Sequence, residues 1–233
     1  MNNHPLISVI MPVLNGQRFI AEAIASIQAQ NYPNLEILVI DDGSTDNSAE
    51  IARQMGAMVF KQTKNTGIAT ARNRGLAAAR GELIAFLDAD DLWVLNKLEL
   101  QLKVLLKHPE LKAVTGFVEQ FFTLSDREPN TIQTFLPVVG AVLVRRDVFE
   151  QIGIFDQTMT QSEDLDWFLR LREQSLGFVM LPKVLLKYRS HDTNITSDQQ
   201  AVRYWALQAI HKRSKRREYS IVALSDVPIL EEI

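Results

Sequence analysis

Short apolar runs alternate with amphipathic segments over the first part of the chain. Each run is continuous, which is typical of parallel strands that are covered on both faces. The runs predict four strands: Leu6–Met11, ending before Pro12, Leu35–Ile40, Ala57–Lys61 and Leu83–Leu87. Between them, helical spacing predicts three helices: Arg18–Gln30, Asn47–Met55 with Ser44 or Thr45 as its cap, and an alanine-rich helix ending near Arg80. This order predicts an α/β half that is doubly wound around a mostly parallel sheet.

The rest of the chain lacks this regular alternation. Helices are predicted at Asn96–Lys107, Asp147–Gln151, Glu163–Glu173 and from Ala201 onward. Strands are predicted at Ala113–Leu124, Val138–Val144, Val179–Leu181 and Val184–Tyr188, the last two on either side of a turn at Pro182. No linker rich in Gly, Ser or Pro interrupts the chain, so we expect one domain over residues 1–233. It would comprise a first half to about residue 93, a smaller mixed α/β half over about 94–195 and a helical tail from about 196.

Polar clusters follow three of the predicted strands. They are Asn15-Gly16, Asp41-Asp42 and Asp88-Ala89-Asp90. Ligands of such sheets bind beyond the carboxyl ends of the strands, so we expect the clusters to converge on one crevice. Two carboxylates two residues apart can both reach one Mg²⁺ or Mn²⁺ ion, which prefers oxygen ligands. The alternative is a solvated acidic loop that caps the next helix, and the triplet alone does not separate the two.

Other polar segments suggest further roles. Asp41 is placed to accept hydrogen bonds from a nucleobase or ribose, although Asp also favours turns. Asn65-Thr66-Gly67, followed by Arg72, resembles a phosphate-binding helix start. Glu163-Asp164-Leu165-Asp166 opens a helix, where acids match the helix dipole. Three acids exceed what a cap needs, and one of them is a candidate general base.

Composition and charge exclude several classes of protein. The 233 residues are 46% hydrophobic and 23% charged, as in ordinary globular chains. The absence of cysteine excludes disulfides, thiolate nucleophiles, iron–sulfur clusters and Cys-ligated zinc. A net charge of −3 provides no general attraction for nucleic acid. The chain shows no signal peptide and no apolar run of the ~18 residues that a membrane span needs, so we expect a cytoplasmic protein.

Several motifs together resemble the family 2 glycosyltransferases, which have the GT-A fold. The matching stretches are Ser8–Ser48, Asn65–Trp93, Gly140–Asp156, Ser162–Glu173 and Tyr188–His191. Their order and spacing are far more specific than any one of them. The resemblance implies a metal-dependent enzyme that transfers a sugar, with inversion, from a nucleotide-diphosphate sugar to an acceptor hydroxyl. The tail from about residue 195 lies outside the resemblance.

The resemblance also implies roles for particular residues. The nucleotide sugar would be bound by a set of residues at the strand ends: Pro12, Asn15, Asp41, Arg72, Asp88, Ala89 and Asp90. Within that set, Pro12 and Asp41 would contact the base, and Asp88 would lie near the ribose. Asp90 and His191 would hold the Mg²⁺ or Mn²⁺ ion. Asp164 would be the catalytic base.

The acceptor is less well defined by the sequence. The resemblance implies a glycan or lipid-linked acceptor, in bacterial surface glycan assembly. The segment Glu119–Pro137, on the acceptor side, shows no interpretable pattern. A Q-x-x-R-W-type motif and membrane helices, which processive synthases use, are both lacking, so single transfer is favoured. The basic run Lys212–Arg217 suggests either a solvated helix face or weak contact with the inner surface of the membrane.

Two other functions remain open at this stage. A sugar nucleotidyltransferase also uses a doubly wound sheet and Mg²⁺, but it would show a basic, glycine-rich loop after the first strand. Here that loop is Pro12–Gly16, and the first basic residue is Arg18. A degenerate transferase that only binds a nucleotide or a partner is the second alternative. The presence of both Asp90 and Asp164 argues against it.

Overall fold

The computed structural model of the protein describes residues 4–122, 130–132, 136–191, 194, 198–216 and 227–230. Its strands are β1 Ile7–Val13, β2 Leu35–Asp41, β3 Met58–Lys61, β4 Leu83–Phe86, β5 Leu92–Trp93, β6 Leu111–Phe122, β7 Asn130–Ile132, β8 Leu143–Arg145 and β9 Gly177–Ser190. Its helices are α1 Ile20–Gln28, α2 Ser48–Gln54, α3 Ile68–Ala78, α4 Lys97–Lys107, α5 Asp147–Ile152, α6 Glu163–Glu173 and α7 Gln199–Lys215, with a 3-10 turn at Val139–Ala141. In the parts of the chain described here, no helix is long and apolar enough to cross a membrane.

The strands form one mixed sheet in the order β3-β2-β1-β4-β8-β6-β9-β5, with β7 paired to β6. Strands β1 to β4 pair in parallel, with β1 between β2 and β4. The antiparallel strand β8 then joins them to the parallel pair β6 and β9. The strand order reverses direction at β1, so the crevice expected of a doubly wound sheet lies at the carboxyl ends of β1 and β4.

Apolar layers cover both faces of this sheet. One layer contains the buried sides of α1, α2 and α4, and the other contains those of α3, α5 and α6. Helix α3 packs so closely on the sheet that a Cβ atom added at Gly75 would lie 2.3 Å from Cγ2 of Ile10. The continuous apolar runs of the first half are therefore explained by burial on both faces.

The predicted strand end before Pro12 and the predicted turn at Pro182 are both wrong, because both prolines lie within strands. Strand β1 continues through Pro12, which pairs in register with Ile40. Pro12 lies beyond the last pair between β1 and β4, Ile10 with Phe86, so its missing N–H leaves no ladder hydrogen bond unmade. Pro182 lies in β9, which pairs with β6 over nearly its whole length through register shifts at Gly116 and Phe117.

Two local predictions also differ from the structure. The segment Val138–Val144 is not one strand, because the 3-10 turn at Val139–Ala141 precedes β8. Neither Ser44 nor Thr45 caps α2. Asp46 accepts a hydrogen bond from the backbone N–H of Ser48, at 3.0 Å, where the helix begins.

Candidate functional site

A cavity of about 320 Å³ lies where the end of β4, the start of α6 and helix α3 meet strands β6 and β9. Its charged lining residues are Arg72, Asp88, Asp90, Glu163 and Asp164. The rest of the lining is polar or apolar: Ile68, Val118, Gln120, Leu136, Val138, Thr160, Gln161, Ser162, Tyr188, Asn194 and Val202. The cavity therefore joins the D-x-D loop to the acidic start of α6, two segments that are distant in sequence.

Arg72 links these two acidic segments. Its Nη2 atom donates to both carboxylate oxygens of Asp88, at 2.8 and 3.1 Å, and its Nη1 atom donates to Glu163. Burial alone would lower the pKa of the Arg72 guanidinium, but the charges of Asp88 and Glu163 raise it above its usual value. The guanidinium stays protonated and holds two carboxylates in fixed positions.

The loop before α3 is tied to Asp42, and phosphate binding at this helix start stays a prediction. The backbone N–H groups of Thr66 and Gly67 donate to the carboxylate of Asp42, at 2.9 and 2.8 Å. The Thr66 hydroxyl donates to the same carboxylate at 2.7 Å. The N–H groups of Thr66 and Gly67, just before the helix, are thus already satisfied by a carboxylate of the protein. The Arg72 side chain is engaged by Asp88 and Glu163.

Asp90 lies beside His191, and the metal-binding role expected of the two stays a prediction. Its Oδ2 atom is 3.0 Å from Nε2 of His191, and the imidazole packs on the ring of Phe19 with 4.7 Å between centroids. Burial and the charge of Asp88 raise the pKa of Asp90, while the hydrogen bond with His191 opposes that rise. The negative charge of Asp88 thus acts on Asp90, two residues further along the same loop.

This donor set suits a hard divalent cation. The carboxylate and imidazole atoms are ligands that Mg²⁺ and Mn²⁺ accept, and a cation would relieve the repulsion between Asp88 and Asp90. Over the ranges that the structure describes, no group of three or more His, Asp or Glu side chains forms a complete metal site. The residues therefore fit a cation that takes its remaining ligands from water and substrate, as Mg²⁺ often does.

The three acids in the first turn of α6 have different environments. Glu163 pairs with Arg72, and Asp166 pairs with Arg170 at 2.9 Å and with Arg216 at 3.1 Å. Asp164 forms no ion pair with any described residue, and its carboxylate accepts from the backbone N–H of Leu165 at 2.8 Å.

The pKa of Asp164 is shifted toward neutral pH. Burial, with the charge of Glu163, raises the pKa of Asp164 to about 7, although Arg72 opposes the rise. Of the acids in this turn, Asp164 therefore has the environment of a proton acceptor at neutral pH.

Four of the predicted nucleotide-binding residues lie outside the cavity lining: Pro12, Asn15, Asp41 and Ala89. The loop of Asn15 and Gly16 is nevertheless close to the D-x-D loop, since a Cβ atom added at Gly16 would lie 3.4 Å from the Cβ of Ala89. The side-chain oxygen of Asn15 accepts from the backbone N–H of Thr45 at 2.9 Å, so it holds two loops together. The crevice predicted from the three polar clusters thus extends beyond the cavity.

One carboxylate oxygen of Asp41 accepts no hydrogen bond from a described residue. Its Oδ1 atom accepts from the backbone N–H of Ser44 at 2.8 Å, while the buried Oδ2 atom has no hydrogen-bond donor among the described residues. The Nζ atom of Lys61 is 3.8 Å from Oδ2, which is an ion pair without a hydrogen bond. A buried carboxylate oxygen without a donor suits a ligand that brings its own N–H group.

Arg189 is a component of the site that the sequence analysis missed. Its Nε atom donates to the backbone oxygen of Asp90 at 2.6 Å, and its guanidinium lies between the rings of Phe19 and Phe121. Its backbone N–H donates to the buried carboxylate of Asp91 at 2.8 Å. The signal was a cation two residues before His191 in the same predicted strand end. Arg189 thereby fixes the D-x-D loop against the end of β9.

The chain is similar to known glycosyltransferases in sequence and in fold. The model of glycosyl transferase family 2 matches residues 8–161. An uncharacterised glycosyltransferase of Rickettsia typhi is 34% identical over 214 residues, which cover 83% of this chain and 66% of that protein. A Bacillus subtilis glycosyltransferase, TuaG, whose name assigns it to teichuronic acid biosynthesis, is 29% identical over 85% of this chain and 84% of its own length.

A shorter match is with WfgD of Escherichia coli, named as a UDP-Glc:alpha-D-GlcNAc-diphosphoundecaprenol beta-1,3-glucosyltransferase. It is 42% identical over 44% of this chain and 42% of that protein. Among solved structures, a mannosyltransferase of Pyrobaculum calidifontis in complex with GDP-Man and Mn²⁺ has a TM-score of 0.76 at 21% identity. The match covers 93% of this chain and 66% of the mannosyltransferase chain. This similarity confirms the fold expected from the sequence.

Proposed function

This chain belongs to glycosyl transferase family 2, and from that premise we propose that it transfers a sugar from a nucleotide-diphosphate sugar to an acceptor hydroxyl. The observation that carries the proposal is the shared cavity of Asp164 with Asp88 and Asp90. A proton acceptor and an acidic pair suited to a cation then face the same space, which is what transfer from a diphosphate to a hydroxyl requires.

In this proposal, Asp164 accepts the proton of the acceptor hydroxyl as that oxygen attacks the anomeric carbon. A carboxyl group with a pKa of about 7 is partly ionised at neutral pH, so it can take the proton and later release it to water. The displacement is a single step, and the configuration at the anomeric carbon is inverted. Glu163 is unavailable for this role because it is paired with Arg72.

Asp90 and His191 would hold Mg²⁺ or Mn²⁺ in this proposal, with the diphosphate and water as further ligands. When bound, the cation offsets the negative charge that develops on the leaving diphosphate. Arg189 orients the Asp90 loop, and Arg72 holds Asp88 in place. The Mn²⁺ named with GDP-Man in the Pyrobaculum calidifontis structure supports this choice of cation.

The nucleotide would lie along the crevice beside the cavity, contacted by Pro12, Asn15, Asp41 and Ala89. The buried Oδ2 atom of Asp41 would accept a hydrogen bond from the base. The Asn15 side chain would act mainly through the loops that it holds together. A screen of nucleotide-sugar donors would identify the base and the sugar.

We infer the acceptor class from the relatives. The names of TuaG and WfgD refer to a cell-surface polymer and to a diphosphoundecaprenol-linked sugar. A glycan or lipid-linked acceptor in surface glycan assembly is therefore proposed here too, with one sugar added per encounter. The apolar lining formed by Val118, Leu136 and Val138 is compatible with the ring face of an acceptor sugar. A cytoplasmic protein in contact with the membrane surface would meet such an acceptor.

The test is a donor screen with the full chain and Mn²⁺. UDP-, GDP- and dTDP-sugars are each incubated with the protein, and the released nucleoside diphosphate is measured. We expect release from one donor class and its loss in Asp164→Asn, while Asp147→Asn, at the start of α5 and away from the cavity, keeps it. Nucleotide binding without release from any donor would instead indicate a binding protein. Pyrophosphate release from a nucleoside triphosphate and a sugar phosphate would indicate a nucleotidyltransferase.

A further inference from the structure

Helix α7 carries a row of exposed apolar side chains on its outer face. Tyr204, Leu207 and Ile210 are 55%, 64% and 53% exposed. Their spacing of three residues places them on one side of the helix, along about 9 Å of its axis. The other large apolar side chains exposed in the described chain occur one at a time, which is common on protein surfaces. A row of exposed apolar side chains on one helix face is uncommon on protein surfaces.

Two basic residues at the C-terminal end of α7 pair with acids of the rest of the domain. Lys212 pairs with Asp156, and Arg216 pairs with Asp166 and with Glu173, at 3.1 and 2.8 Å. The expectation that the basic run is a free, solvated face is therefore wrong for these residues. Arg217, the last residue of the run, lies outside the described residues. The ion pairs fix the rotation of α7, so its apolar row stays directed away from the domain.

The outer face is also cationic. Arg203 and Lys215 are exposed beside the apolar row, and neither forms an ion pair with a described residue. The sequence of α7, Gln199–Lys215, contains no Asp or Glu. Apolar side chains flanked by cations, without acids, are typical of a helix that lies in the interface of an anionic bilayer.

We propose that the face formed by Arg203, Tyr204, Leu207, Ile210 and Lys215 binds the surface of an anionic lipid bilayer. The cations match the charge of the head groups, and the three apolar side chains protrude far enough to enter the interface. A second copy of the chain fits less well, because two such faces would bring like charges together. The row is also small compared with the ~800 Å² that each partner of a stable protein complex buries.

This orientation bears on the cavity. Val202, on the inner side of the same helix, lines the cavity that contains Asp164. A bilayer bound to the outer face of α7 would lie one helix thickness from that wall. A lipid-linked acceptor would then have a short path to the cavity. Only this last step rests on the proposed function, since binding to vesicles requires no transfer.

The experiment is co-sedimentation of the full chain with vesicles of phosphatidylcholine alone or mixed with phosphatidylglycerol. We expect binding only to the mixed vesicles, weakened by salt and reduced at least about fivefold in the Leu207→Ser/Ile210→Ser variant. The matched control is Leu95→Ser, which alters a single exposed leucine elsewhere. Nucleoside diphosphate release, measured on the same preparations with a water-soluble acceptor, separates a failure of this proposal from a failure of the proposed function.

Two outcomes would overturn the proposal. One is binding that is indifferent to phosphatidylglycerol and to both substitutions. The other is a dimer in light scattering that dissociates in Leu207→Ser/Ile210→Ser while vesicles are not bound, which would assign the face to a second copy. Circular dichroism of the variants excludes loss of the helix as the cause.

Discussion

His191 and Asp90 are 101 positions apart in the sequence, yet Nε2 of His191 lies 3.0 Å from Oδ2 of Asp90. We predict that Asp90→Ala abolishes Mn²⁺-dependent binding of UDP or GDP, because no neutral side chain replaces an ionised oxygen ligand. His191→Ala should weaken that binding without abolishing it, since Asp90 remains. Calorimetry with Mn²⁺ and with EDTA measures both effects. Unchanged, EDTA-insensitive affinity in Asp90→Ala would remove this residue from the metal site.

Asp164→Asn separates a base from a helix cap. Asparagine keeps the size and the hydrogen bond to the Leu165 N–H but accepts no proton at neutral pH. If Asp164 is the base, turnover should fall by roughly 10²–10⁴ while nucleotide affinity stays near that of the wild type. Asp147→Asn, in the first turn of α5, is the matched control and should keep its activity. Steady-state turnover and nucleotide binding are measured on the same preparation. Retention of more than about half of the activity would show that Asp164 only caps the helix.

The pH dependence of activity follows from the same group. The pKa of Asp164 is raised from 3.8 to about 7, and only the ionised carboxylate accepts a proton. Turnover should therefore rise with pH up to about 7 and then level off. Initial rates from pH 5 to 9 at saturating donor measure this limb. A rate that is flat from pH 5 to 7 would contradict the assignment.

Asp164 should also make the wild type less stable as pH rises. Between about pH 4 and 7 the folded protein holds a proton on Asp164 that the unfolded chain releases. The stability linked to this proton is present at low pH and is lost as pH rises through about 7. Asp164→Asn cannot ionise, so its melting temperature relative to the wild type should be higher at pH 8 than at pH 5. Differential scanning fluorimetry at both values tests this, and an equal difference at the two would refute it.

Arg72→Met should destabilise the fold strongly. It leaves Asp88 and the buried Glu163 without their shared counter-charge, and removal of one partner of a buried pair costs about 3–5 kcal/mol. Arg53→Met is the matched control, since Arg53 and Glu50 form an exposed pair at 3.6 Å that is expected to be worth less than about 1 kcal/mol. Urea unfolding gives both free energies. Equal effects would mean that the Arg72 pairs are no stronger than a surface pair.

Local sequence patterns predicted much of the fold but few of the side-chain contacts in the candidate site. The helix Glu163–Glu173 has the predicted bounds because its apolar spacing and acidic start are local signals. The sequence predicts two strands separated at Pro182, where the structure has the single strand β9. The long pairing of β9 with β6 is not visible in the residues of β9 alone. The pairing of Asp42 with the start of α3 likewise depends on a contact between Asp42 and Gly67, 25 positions apart. Residue types at strand ends indicated where a site lies, whereas the partners of each charge depended on the tertiary fold.

The guanidinium of Arg72, shared by Asp88 and Glu163, has a consequence for how mutagenesis of this cavity is interpreted. Replacing Arg72 leaves two carboxylates without a counter-charge, whereas replacing Asp88 or Glu163 leaves one ion pair intact. Single substitutions should therefore cause unequal losses of stability, whether or not the residue contacts substrate. Their effects should also be strongly non-additive, because each removes part of the same network. A double substitution that removes Arg72 together with Glu163 should be milder than the sum of its parts. In this protein, only such cycles would distinguish a chemical role from the maintenance of charge balance.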